Sequence, residues 1–253
     1  MIELDSLSSF FYDFVTENGD NNENFYFDLH MHTPASDGNI TGKFLNRFLS
    51  GKKYLISVTD HNSIKGNIKL RKMGLNVVPG FELGCNDGFE ILVYFKTEHD
   101  LIDFYLKEVY PYKNKYRMTK TSRSVFEYIK ILRENYTVHI SIPHINGYAQ
   151  KNYLKNKDYI DEVLRLVDAI EIYNHSLSSN KNNEALKLKN EYRLYSTFGS
   201  DAHDEREILS YYRVLNKEIK KVKNFVDKVY KIKTVTGIGK KHFLNLFKNK
   251  ISY

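Results

Sequence analysis

The sequence has no tryptophan, one cysteine (Cys85), and no apolar run approaching the roughly 20 residues of a membrane-spanning helix. A single cysteine excludes an intramolecular disulfide. The shortness of the apolar runs excludes a helical membrane span, and residues 1–11 lack the basic segment that opens a signal peptide. Together these absences predict a cytoplasmic address and no membrane partner. No internal repeat or low-complexity tract is present. What the chain does have is 253 residues that are 42% hydrophobic, with 20 Tyr and 16 Phe, enough for a substantial core. That length holds one large α/β barrel or two small domains, and a single domain is the reading adopted.

Histidines and carboxylates recur in order along the chain: His30-Met31-His32, Asp37, Asp60-His61, Glu82, His144 and Asp201-Ala202-His203. They follow short β-prone runs, at residues 25–29, 55–58 and 76–79, so each ligand candidate sits at a strand-to-loop transition. On a strand, His30 and His32 leave the same face and can reach one cation. Imidazole mixed with carboxylate suits zinc, manganese or iron, whereas magnesium and calcium sites are mostly oxygen. The pattern predicts a barrel with a metal cluster at its mouth.

The segments Asp28-Leu-His-Met-His-Thr-Pro-Ala-Ser-Asp37, Val58-Thr-Asp-His-Asn62, Pro79-Gly-Phe-Glu-Leu83, Pro143-His144 and Gly199-Ser-Asp-Ala-His203 resemble the motifs of the PHP (polymerase and histidinol phosphatase) domain, in family order. The resemblance implies a distorted (β/α)7 barrel with peripheral N- and C-terminal helices, binding two or three divalent ions (Mn, Zn or Fe) and hydrolysing phosphate esters. It assigns His30, His32, Glu82 and Asp201 to a first metal, Glu82 and His144 to a second, and Asp37, His61 and His203 to a third. Where many family members place a further histidine after the bridging glutamate, this chain has Glu90 before an apolar strand, a harder ligand that would move metal preference toward manganese or iron. Asp60 is expected to orient a ligand rather than bind metal.

The chemistry this predicts is water activated by the ions, with no side-chain nucleophile. Cys85 lies near the proposed bridge, but without a basic neighbour in sequence it is read as a small, poorly exposed thiol. Asp37, His61 and His203 are the catalytic candidates, joined by two anion-binding candidates. Arg117 lies in the basic, aromatic loop 110–118, and Arg206 follows the last motif; Arg123 is a further clamp candidate, and a solvated loop is the plainer reading of this stretch. His139 alternates wrongly for the site and is read as structural, and His175 is an outside candidate for lining it.

Residues 1–24 are expected to form a helix and linker, 25–215 the barrel, and 216–253 a helical extension completing the same domain. Amphipathic helices are expected over 40–50 and 63–73, with Asn62 or Ser63 capping the second, further helical stretches over 98–109 and 121–135, and a Lys- and Asn-rich helix over 180–192. In the tail, a helix over 222–232 followed by Thr236-Gly-Ile-Gly-Lys-Lys-His-Phe-Leu resembles one helix-hairpin-helix unit; a Gly-broken helix pair closing the barrel is the preferred alternative.

A net charge of +7 and pI near 9.1 fit a polyanionic partner, although the charges are scattered rather than gathered in a block. The function expected is a metal-dependent phosphoesterase acting on nucleotides or oligonucleotide ends. The alternatives are a small-molecule phosphomonoesterase of the histidinol phosphatase type and a non-catalytic nucleic-acid-binding accessory module. The partner is accordingly a phosphorylated small molecule, a nucleotide or a nucleic acid.

Overall fold

The computed structural model describes residues 4–16 and 24–217, with 221, 223–226, 228, 229, 232 and 236 beyond them. The 237–244 part of the helix-hairpin-helix resemblance therefore lies outside the described residues.

The first strands are largely apolar because both faces are covered. Phe25–Asp28 (β1) and Lys53–Ile56 (β2) are buried at every position and pair in parallel. Between them runs Gly42–Leu49 (α1), capped by the Thr41 hydroxyl, which accepts from the Phe44 N–H at 3.1 Å, with Phe44, Leu45 and Leu49 inward. Lys65–Lys72 (α2) follows β2. Its N-cap is Ile64, with no side-chain cap bond. Of the two expected caps, the Ser63 hydroxyl accepts from Lys65 N at 3.4 Å, while Asn62 is used elsewhere: its amide donates to Met118 O at 2.8 Å and accepts from Gly84 N at 3.0 Å.

Gly80–Gly84 (β3) and Glu90–Phe95 (β4) form an antiparallel hairpin. After Glu98–Phe104 (α3), a single π-helical stretch to Val109 and Val125–Asn135 (α4), Val138–Ile142 (β5) also pairs antiparallel with β4. A capping box between Ser124 and Glu127 starts α4. Tyr153–Asn156 (α5) and Ile160–Leu164 (α6) precede Ala169–Asn174 (β6), and Ser179–Glu191 (α7) connects it to Tyr195–Gly199 (β7). Strands β5, β6 and β7 are parallel, and Glu205–Lys217 (α8) packs back on β1.

The architecture is thus a mixed α/β fold. The strand ladders form a two-stranded and a five-stranded sheet, and no continuous ladder closes them into a barrel among the described residues. The two sheets meet at seams held by isolated bridges, Met31 with Ala202 at one, and Ile56 with Val77 and His61 with Glu82 at the other. The antiparallel β3-β4-β5 unit also breaks the all-parallel repeat.

Two apolar clusters flank the sheets. One gathers Phe11, Phe27, Leu55, Tyr94, Phe198 and Tyr211; the other gathers Phe81, Val93, Phe104, Tyr128, Ile140 and Ile170. The expected N-terminal helix is a short 3₁₀ turn, Ser9–Phe14, whose Phe10 and Phe11 rings pack on His139 at centroid distances of 5.5 and 4.9 Å. His139 is 3% exposed, stands within an aromatic wall and joins no group of possible metal ligands. No helix among the described residues is long and apolar enough to cross a membrane.

Candidate metal centre

The seams are where the sheet ladders stop, and there the histidines and carboxylates converge. His30 and His32 leave the end of β1, Asp201 and His203 follow β7, His61 follows β2, Glu82 lies in β3 and Glu90 starts β4. Backbone bonds hold the strand ends in register: Asp201 N donates to His30 O at 2.8 Å, His32 N to Ala202 O at 2.9 Å, and Asn62 N to Glu82 O at 2.8 Å.

Four groups of side chains bring ligand atoms within reach of one cation: His32, Asp37, His61 and His203; His30, His32 and Asp201; His30, Glu82 and His144; and His61, Glu82 and Glu90. All nine residues expected as ligands are therefore brought together. The groupings differ from those the resemblance implies, since His32 also joins the Asp37 group. Its ring stacks between His61 and His203, at centroid distances of 4.7 and 4.4 Å. Glu82 is the hub. Its Oε1 lies 3.1 Å from His144 Nε2, and its Oε2 lies 3.0 Å from His61 Nδ1, 3.4 Å from His30 Nε2 and 3.5 Å from His32 Nε2.

Three side chains that sequence reasoning missed position this set. Glu171 in β6 lies 2.9 Å from His30 Nδ1, and its other oxygen accepts from His144 N at 2.8 Å and from the Asn174 amide at 2.9 Å. Asn174 also donates to Asp201 at 3.1 Å. A proton on His30 Nδ1 donated to Glu171 would leave Nε2 with its lone pair toward Glu82 and Asp201. A lone carboxylate inside the apolar run of β6 was the available signal for Glu171. Lys151, 3.0 Å from Glu90, has no such signal in its loop.

The donors fit divalent ions. His32 Nδ1, His61 Nδ1 and Glu82 Oε2, all inside the ligand groups, are buried without a hydrogen-bond partner. Each such atom costs free energy, and a shared cation is what satisfies imidazole nitrogen and carboxylate oxygen together. Burial opposes ionisation of Glu82 and Asp201, yet the neighbouring imidazoles hold both well below the usual carboxylate range. Burial works against a charged His30 too, but Glu171, Asp201 and Glu82 raise it well above its ordinary value. Burial pushes His32 down to about 4, and a hydrogen bond to Asp37 raises His203 to about 9.

Backbone strain marks the same place. Asn62, His144 and Asp201 have φ of 45°, 32° and 52°, a left-handed conformation costing on the order of 1–3 kcal/mol each and held here by the surrounding bonds.

Asp60 joins none of the four groups. It accepts from Thr33 N and Oγ1 at 2.7 Å each and from Ser36 at 2.8 Å, bracing the loop between His32 and Asp37, while burial raises it to about 6. Cys85 is fully buried, and burial pushes its thiol well up. Arg117 is exposed and lines a cavity of about 580 Å³ together with Glu90, Lys120, Lys151 and Lys157. Arg206 is placed differently: its exposed guanidinium pairs with Asp204 at 2.9 Å. Arg123 pairs with Glu108 and lies over the Tyr112 ring at 3.6 Å. His175 contacts Ser210 and Tyr173 and joins no ligand group.

Residues 179–234 match the family described as PHP-associated. No curated protein matches the chain in sequence. Among the solved structures that match is a protein from Bifidobacterium adolescentis assigned as a metal-dependent phosphoesterase, 16% identical, with a TM-score of 0.51 over 76% of this chain and 90% of that one. An amidohydrolase from Chromobacterium violaceum, solved with sulfate and no metal, is 16% identical with a TM-score of 0.50 over 70% of this chain and 87% of that one. Endonuclease Q, in complex with a 27-mer duplex bearing an abasic lesion at its active site, is 17% identical with a TM-score of 0.52 over 70% of this chain. This chain spans about half of that protein, 48%. These likenesses are of fold.

Proposed function

We propose that this chain, which the PHP-associated match and the shared fold ally with the PHP family, is a metal-dependent phosphoesterase hydrolysing phosphate esters of nucleotides or oligonucleotide ends. The observation that carries the reading is the overlap of four ligand groups through Glu82, His30, His32 and His61. A structural zinc site closes with four ligands and needs no such sharing, whereas a cluster of adjacent cations is suited to in-line displacement at phosphorus. When bound, manganese, zinc or iron ions, two or three in number, supply acidity to water and positive charge for the phosphoryl oxygens.

The protein's own part is to hold and orient. Glu171 fixes the His30 ring and Asn174 fixes Asp201, so the inner donors stay aimed without rearrangement. Asp37 and His203, with side chains 36% and 39% exposed, form the rim that an incoming ester meets, while His61 lies beneath them at 2%. With Cys85 buried and its thiol kept protonated, that sulfur is unsuited to attack. Arg117 and the lysines of the adjoining cavity offer a seat for a neighbouring anionic group. The net charge of +7 supports a nucleotide or nucleic-acid substrate over a small neutral one, and the fold likeness to Endonuclease Q is in keeping with it.

The test is product analysis with Mn²⁺ on three substrates: nucleotide monophosphates, histidinol phosphate and a 5′-labelled oligonucleotide. Shortening of the oligonucleotide or release of phosphate from the nucleotides supports the reading. Turnover of histidinol phosphate alone moves the assignment to a small-molecule phosphatase, and salt-sensitive oligonucleotide binding without any turnover moves it to an accessory module.

A further inference from the structure

The Glu90 edge of the cluster differs from the rest in carrying a fixed positive charge. Glu90 is 6% exposed; its Oε1 lies 3.6 Å from His61 Nδ1, and its Oε2 lies 3.6 Å from His144 Nε2 and 3.0 Å from Lys151 Nζ. The lysine thus meets the same carboxylate oxygen that faces His144.

Lys151 is placed there by a built loop. Gly147 N donates to His144 O at 2.7 Å and to Lys151 O at 3.1 Å, closing the chain between the two residues. A Cβ at Gly147 would stand 2.8 Å from the Lys151 Cβ, so the close approach requires glycine. Lys181 ties the Asn146 and Gly147 carbonyls at 2.6 and 2.9 Å, and Tyr153 Oη accepts from Glu90 N at 3.0 Å. One loop therefore delivers a histidine to one side of Glu90 and an ammonium to the other, and grips the Glu90 backbone.

We propose that Lys151 is a resident cation of the centre: its ammonium engages Glu90 and competes with a divalent ion for the group formed by His61, Glu82 and Glu90. A carboxylate already neutralised at 3.0 Å has less charge to offer a metal, and an ion entering beside it meets a like charge. The groups built on Asp201 and on Asp37, which have no paired lysine among the described residues, bind divalent ions more tightly, and the Glu90 edge is the weakest position. The inference rests on the metal-centre reading.

The test is titration of chelator-stripped, full-length protein with Mn²⁺, followed by calorimetry, with bound manganese counted by elemental analysis after gel filtration. Lys151→Met is expected to bind one more Mn²⁺ per chain than wild type at equal free concentration, or to bind its weakest ion at least tenfold tighter. Lys151→Arg should keep the wild-type pattern, and Lys151→Met combined with Glu90→Gln should return to it. Lys151→Gln serves if the methionine variant does not fold. Equal stoichiometry and affinities within twofold for wild type and the neutral variant overturn the inference while leaving the metal centre standing. Failure of wild type to bind any Mn²⁺ overturns both.

Discussion

Glu171 holds His30 by a 2.9 Å contact to Nδ1, while its second oxygen takes the His144 backbone N–H at 2.8 Å. One carboxylate thus sets the ring of one ligand and the backbone of another across the seam between the sheets. Glu171→Gln keeps the shape but weakens the acceptor and can present an amide N–H to Nδ1. We predict a loss of about 10- to 100-fold in Mn²⁺ affinity, measured by calorimetry, with the far-UV spectrum unchanged.

Gly199, the last residue of β7, packs against the backbone and Cβ of His30 closely enough that a Cβ there would overlap His30. Gly199→Ala forces that strand end away from β1 and moves Asp201 with it. The expected result is destabilisation of about 1–3 kcal/mol, read from urea unfolding, together with weaker Mn²⁺ binding. A variant as stable as wild type would show that the close approach is not required.

His139 is buried among Phe10, Phe11 and Tyr94, and burial lowers it from 6.5 to about 4. The unfolded chain binds this proton below about pH 6.5, whereas the folded chain refuses it until about pH 4. Stability therefore falls as pH drops through that window and is unaffected by this group above it. Between pH 7 and pH 5 the loss from His139 is about 2 kcal/mol. His139→Leu should reduce the pH 7 to pH 5 difference in unfolding free energy by that amount, measured in urea at both values.

Arg117 lines the cavity beside Glu90 and contributes no ligand atom to any of the four groups. Arg117→Ala is predicted to raise KM for an anionic substrate by roughly 10-fold with kcat within about twofold, the pattern of lost uniform binding. A fall in kcat at constant KM would place the guanidinium at the reacting phosphoryl group instead.

Much of the site was legible because its parts are unusual where they stand. His30-x-His32, Asp60-His61 and Asp201-x-His203 all end short apolar runs, and a polar ligand at a strand end needs a reason that an exposed histidine on a helix does not. The positioning residues were less visible. Asn174 is hidden beside the more conspicuous His175, because side-chain direction past the register shift between Glu171 and Tyr173 cannot be counted off in twos. Lys151 looks like any other loop lysine until the loop closes. The hairpin could have been read: only five residues separate β3 from β4, too few for a parallel crossover, and Asn86-Asp87-Gly88 is a turn sequence with Gly88 at φ 82°. Barrel closure depends on ladders between β7 and β1 and between β2 and β3, and hydrophobic pattern does not say whether such ladders continue.

The most direct test of the central claim is Mn²⁺-dependent hydrolysis of nucleotide monophosphates and a 5′-labelled oligonucleotide by wild type and by Asp201→Ala, with thermal melting to establish that both are folded. The account predicts turnover by wild type that chelation abolishes and added Mn²⁺ restores, and a loss of at least about 1,000-fold in the variant. Turnover that survives both chelation and Asp201→Ala would contradict it.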